Sequence, residues 1–174
     1  MMCRVLMKFS TLETIFEALD RAGVRYLVAG GVAVNIHGYQ RMTADLDLVV
    51  QLERDNIVNA MNALNSLGYR PIVPVTEHDF ADTKIRRGWV KNKNMQVLSF
   101  HADQSPETAV DIFVTEPFDF DKEYNAAVAA EINPELIVKI ISIPALIRMK
   151  KEAGRPRDLD DVMHLEMIAD ETNT

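Results

Sequence analysis

Apolar positions recur at helical spacing through Leu12, Ile15, Phe16 and Leu19, and Gly23 closes the run. Ahead of them, Ser10-Thr-Leu-Glu13 has the spacing of a capping box. Residues 25–29 form a short apolar run, predicting a strand that feeds Gly30-Gly31, and 32–37 read as a helical turn closed by Gly38. Residues 45–50 are apolar apart from two acids, which predicts a strand. Ile57, Val58, Met61, Leu64 and Leu67 give 56–67 a helical period that stops at Gly68. Strands are predicted over 69–75, 84–87, 95–100 and 109–114, separated by polar loops at Pro74, Asn92, Asn94 and Pro106. Beyond Pro117 the chain turns more helical. Residues 118–130 read as part loop and part helix, and 136–141 as a β-branched strand. Pro144 opens a helix that Gly154 ends; Pro156 and Asp158, the latter as N-cap, start the last one, and 170–174 form a polar, frayed tail. The order predicts a mixed α/β fold, a sheet flanked by helices, in a single domain over 1–174 with 144–170 as C-terminal helices.

Charge and composition narrow the function classes. With 26 acids against 19 bases the net charge is -7, which argues against a broad surface for duplex DNA. The single cysteine, Cys3, cannot form an internal disulfide. The first ten residues lack a signal-peptide run and no apolar stretch reaches membrane-span length, so the expected location is cytoplasmic.

Candidate chemistry centres on Asp45 and Asp47. Two apart in a strand, they leave the same face of the sheet, and such a pair repels unless a cation neutralises it. Magnesium takes oxygen ligands and accepts one or two carboxylates together with substrate phosphates. Acid-x-acid also occurs at Glu53/Asp55, Asp119/Asp121 and Asp158/Asp160. Leu46, Leu48, Val49 and Val50 set the first pair apart as part of a core strand, whereas Asp158-Leu-Asp-Asp161 reads as a solvated acidic face; Asp45 and Asp47 are either a metal site or a solvated strand edge. Asp111 lies in the apolar run Ala109-Val-Asp-Ile-Phe-Val114. It is either a third metal ligand or an edge residue paired with Arg86 or Arg87. Gly30-Gly31, at a strand-to-helix junction, is either a plain turn or a point where the backbone approaches an anionic ligand.

Taken together, Gly30-Gly31, then Asp45-Leu-Asp47, then an acid on a later strand resembles the DNA polymerase beta superfamily of nucleotidyltransferases. Asn35-Ile-His-Gly-Tyr-Gln-Arg-Met-Thr-Ala44 and Leu146-Ile-Arg-Met-Lys-Lys-Glu-Ala-Gly-Arg-Pro-Arg-Asp-Leu-Asp-Asp-Val162 are similar to small bacterial and archaeal members. These include the transferase components of toxin–antitoxin and abortive-infection systems. The similarity spans residues 26–166. It implies a nucleotidyltransferase fold and transfer of a nucleoside monophosphate from ATP or another nucleoside triphosphate, with Mg2+ or Mn2+ as cofactor. Gly30 and Gly31 are then the triphosphate cradle, and Asp45, Asp47 and Asp111 the metal-binding catalytic acids. Many members carry serine where Gly31 stands. The implied acceptor is a small molecule, a tRNA end or a protein; an antitoxin-like regulatory module that binds a nucleotide or partner protein is the alternative, and a purely structural protein with salt-bridged acids a third reading.

Other residues admit two readings each. Arg41 either meets a triphosphate or an acidic partner or pairs with Asp45, and Thr43 either touches substrate or bonds local backbone. Lys150, Lys151, Arg155 and Arg157 either complement a helix C-terminus or bind phosphate, with Lys150 and Arg157 the foremost nucleotide-binding candidates. His37, His78, His101 and His164 lack metal-ligand spacing; His101-Ala-Asp103 with His78-Asp79 gives only a faint zinc pattern. Trp89 is either a base-stacking residue or a partly exposed hairpin aromatic.

Overall fold

The computed structural model describes residues 7–172; Cys3 and the last two residues of the predicted tail lie outside them. Its centre is a strand pair. β1 (Tyr26–Ala29) is buried along its whole length and runs antiparallel to β2 (Asp45–Val50), with Ala29 opposite Asp47. β5 (Ala109–Phe113) lies parallel to the other side of β2. Beyond it come β4 (Val97–His101) and the two-residue edge β3 (Arg70–Pro71), both antiparallel. On the far side of β1, β7 (Leu136–Ile140) is parallel, and β6 (Val128–Asn133) closes the sheet as a hairpin with it. The seven-stranded mixed sheet has the order β3-β4-β5-β2-β1-β7-β6.

The helices supply the apolar stripes that the sheet buries. α1 (Phe9–Arg21) buries Ile15, Phe16 and Leu19; α3 (Arg54–Ser66) buries Ile57, Ala60, Met61 and Leu64. The short α2 (Gly30–Ile36) follows β1 directly. α7 (Ile143–Ala153) starts at the Ser142 cap with Pro144 in its first turn, and ends where Gly154 turns left-handed at φ 63°. α8 (Pro156–Thr172) completes the C-terminal pair.

Five expectations are corrected. Residues 84–87 are not a strand but part of α5 (Thr83–Lys93), because Asp82 caps it through the Lys84 and Ile85 N–H groups and Asn94 ends it in a left-handed turn. α4 (Glu77–Ala81) precedes it with a capping box between Thr76 and Asp79. Of the strand over 69–75 only β3 forms, since Pro71 and Pro74 remove ladder donors. In 118–130, α6 (Phe120–Ala126) is capped by Asp119, and the remainder opens β6, whose alanine-rich, exposed pattern carries little apolar signal. α1 starts after Lys8, with no side-chain cap, so Ser10 lies inside the helix while Glu13 accepts from Asn133 at 2.6 Å. The last helix runs on through Thr172, taking in most of the predicted frayed tail.

Candidate active site

Strand alternation sends Leu46 and Leu48 fully into the core and turns Asp45 and Asp47 to the opposite face. The parallel register sets Asp111 beside Asp47 and Ala109 beside Asp45. Three carboxylates from two neighbouring strands therefore share one face at one end of the sheet. Burial, followed by the charges of Asp111 and Asp45, pushes the Asp47 carboxyl up to about 6, against the Lys150 charge and an N–H donated by Gly31. Asp111 is also raised, first by burial and then by Asp45, while the Ser99 hydroxyl bonded to it and nearby His101 pull the other way. Arg86 and Arg87 are not its partners. Arg86 donates to the Phe80 carbonyl and Thr83 instead.

The glycine pair is dictated by this crowding. Gly30 has φ 59°, and a Cβ there would fall inside the Asp47 carboxyl group. A Cβ on Gly31 would stand 2.5 Å from Thr43 Oγ1 and 3.0 Å from an Arg41 guanidinium nitrogen. The Thr43 hydroxyl thus fills the space a side chain at 31 would take, and it bonds the Asp45 carbonyl at 3.3 Å. Thr43 makes the local backbone contact expected of it.

Behind the acids lies a buried ion network. Arg41 grips Asp161 with two bonds of 2.6 and 2.8 Å. Lys150 bridges Asp161 at 2.8 Å and Asp158 at 3.0 Å, and Arg155 holds Asp158 at 2.6 Å. Burial raises both carboxyls, but the hydrogen bonds and charges of Arg41 and Lys150 on Asp161, and of Arg155 and Lys150 on Asp158, outweigh it and hold both below the usual carboxylate range. Arg41 accordingly pairs with Asp161 rather than Asp45. The solvated-face reading of 158–161 fails for two of its three acids: Asp158 and Asp161 are 2% and 0% exposed, and only Asp160 faces solvent, accepting from the Tyr39 hydroxyl. Asp158 is not an N-cap, for it sits two residues inside α8. Asp158, Asp161, Val162 and Leu165 form the buried stripe of that helix, and this spacing was the available signal.

The remaining candidates divide cleanly. Gly30, Gly31, Thr43, Asp45, Asp47 and Asp111 come together, and Arg41 and Lys150 are fastened behind them. Arg157 reaches the Met42 carbonyl instead of the carboxylates. Arg155, passed over in favour of Arg157, is the arginine whose charge feels Asp47. Trp89 is neither a base-stacking residue nor a hairpin aromatic: it is buried on α5 against Phe80. His37 meets the Ile141 carbonyl and His164 stacks on Tyr39 at 3.7 Å, so neither belongs to a metal site.

Oxygen donors alone make up the acid cluster, which suits a hard divalent cation. Among the described residues no group of three or more His, Cys, Asp or Glu side chains is arranged to hold a metal ion by itself. Magnesium does not require such a group, because it keeps waters and substrate phosphates as ligands beside one or two carboxylates. The donor chemistry and the mutual repulsion of the three acids both fit such an ion.

No protein-family model and no curated protein matches the sequence. Solved structures do match its fold. A lincomycin-bound lincosamide antibiotic adenylyltransferase aligns over 94% of this chain and 99% of its own, with TM-score 0.60 at 15% identity. The antibiotic-resistance factor ANT(2'')-Ia aligns over 95% and 84%, with TM-score 0.58 at 14% identity. An antigenic nucleotidyltransferase-like protein from Paracoccidioides brasiliensis aligns over 90% and 74%, with TM-score 0.52 at 18% identity. The chain has the nucleotidyltransferase fold.

Proposed function

We propose that the protein is a magnesium-dependent nucleotidyltransferase that moves a nucleoside monophosphate from a nucleoside triphosphate to a hydroxyl of a small-molecule acceptor in the cytoplasm. The observation that carries this reading is the triad Asp45, Asp47 and Asp111, assembled on one sheet face of this fold at the glycine junction. In the reaction the acceptor oxygen forms a bond to the α-phosphorus. The α–β bridging bond breaks in line, and pyrophosphate leaves with the electron pair. Asp45, Asp47 and Asp111 would hold the magnesium ion, which would supply positive charge to the phosphates and to the entering and leaving oxygens.

The chain's own residues position and neutralise. Asp47, wedged against Gly30, fixes the centre of the site, and Asp111 takes the acceptor proton. Gly30 and Gly31 present bare backbone to the triphosphate, as the family resemblance implies. Lys150 and Arg155 keep positive charge behind Asp47, and Asp161 holds Lys150 and Arg41 in place. Two of the similar structures carry lincomycin or adenylyl-2''-tobramycin, which favours a small-molecule acceptor for this chain. The test is pyrophosphate release from magnesium–ATP with lincomycin or tobramycin as acceptor. Acceptor-dependent release that Asp47→Ala abolishes is the expected result, and full activity in that variant sinks the mechanism.

A further inference from the structure

The same sheet face continues past the acids onto β4 and β5. Leu98, Phe100, Val110 and Ile112 point into the core, while Val97, Ser99, Asp111 and Phe113 are half-buried and His101 is exposed. Register lines these residues up in rows: Val97 beside Phe113, and Ser99 beside Asp111, which adjoins Asp47. Two residues along β4 from Ser99, on the same face, is His101, whose charge reaches Asp111, and two residues before Asp111 on β5 is Ala109, the neighbour of Asp45. At one end of the strip are two apolar side chains, and at the other a hydroxyl and an imidazole.

Resting on the nucleotidyltransferase reading, we propose that this β4–β5 strip is the acceptor subsite and that it takes a neutral, hydroxyl-bearing molecule with an apolar face. The apolar face lies on Val97 and Phe113. The polyol edge bonds Ser99 and His101, bringing one hydroxyl to Asp111, where its oxygen joins the α-phosphorus, its proton passes to the carboxylate and pyrophosphate departs. A polycation fits poorly, because Asp111 is the one carboxylate on this face of β4 and β5, and it belongs with Asp45 and Asp47 to the proposed metal site. The largest gathering of acids away from the strip, Glu53, Glu116, Asp119 and Asp121 around a cavity of about 680 Å³, shares that cavity with Arg86 and Arg87, and Asp121 is paired with Arg25.

The test is imidazole NMR on the full chain with magnesium and α,β-methylene-ATP, using p-nitrophenyl glucoside and spermine as probes. The signal lost in His101→Gln assigns that residue among the four histidines. The glucoside is expected to shift the His101 signal and spermine to leave it unmoved. Phe113→Asp should weaken glucoside binding about tenfold or more while the nucleotide still binds. Should that variant fail to fold, His101→Glu, at an exposed position, is expected to weaken it as well. Nucleotide binding with no glucoside shift at His101, or with a spermine shift there, overturns the acceptor assignment and leaves the nucleotidyltransferase reading standing. Failure of the nucleotide to bind overturns both.

Discussion

At the scale of single residues, Asp47 and Gly30 form one unit. The carboxyl occupies the volume that any side chain at 30 would need, and the backbone there is left-handed. Gly30→Ala is therefore expected to cost about 1–3 kcal/mol of stability and to displace Asp47. A fall in Tm together with lost magnesium–nucleotide stabilisation checks this, and a Tm equal to wild type contradicts it. The pH response follows from the same residue. Its carboxyl titrates near 6 in the folded chain against an ordinary 3.8, so the fold binds that proton more tightly than the unfolded chain does. The group stabilises the metal-free fold fully below about pH 4, and that contribution is lost as pH rises through 6. Metal needs the ionised form, so magnesium–nucleotide affinity is expected to weaken about tenfold per pH unit below 6. Titration calorimetry of wild type from pH 5 to 8 measures this slope; an affinity flat across that range excludes Asp47 as a ligand. The Asp45-x-Asp47 spacing and the Asp111 position were legible in the sequence because period-two alternation places both on a face. The register that puts Asp111 beside Asp47, rather than on a remote strand, is a long-range pairing that no local pattern encodes.

At the scale of elements, the C-terminal helices fasten onto the loop before β2 through buried charge. Removing Asp161 leaves Arg41 and Lys150 buried without their shared anion, so Asp161→Ala is expected to cost about 3–5 kcal/mol in urea unfolding. Asp160→Ala, one residue away on the exposed side of α8, is expected to change stability by less than about 1 kcal/mol. Equal effects from the two contradict the network's structural role. Both carboxyls of the network, Asp158 and Asp161, titrate below their ordinary range. Their stabilisation is present at neutral pH and is lost only as pH falls below about 4. Composition concealed these acids, since a run of three aspartates in four residues looks like a solvent face. The helical spacing of Asp158, Asp161, Val162 and Leu165 separates them. α5 was hidden for the reverse reason: its interior is polar and its helix rests on the Asp82 cap rather than on an apolar stripe.

At the scale of the whole molecule, the sheet order and the helical C-terminal pair reproduce a fold that solved nucleotidyltransferases share at 13–18% identity. The alternation of strands and helices was readable from the chain, whereas the β6–β7 hairpin was not, because its outer strand is too exposed and too alanine-rich to stand out. A single domain is expected to unfold in one step. Urea transitions followed by Trp89 fluorescence and by far-UV circular dichroism should coincide, and separate midpoints would divide the chain into two units.

The central claim is that the carboxylates form a metal-dependent nucleotide site. Its most direct test is the Tm of wild type and of the Asp45→Ala/Asp47→Ala double variant with ATP, GTP, CTP and UTP, each with and without magnesium. A rise in Tm with at least one nucleotide that requires magnesium and vanishes in the double variant is the expected result. No rise with any nucleotide, or a rise that persists without the two acids, contradicts it.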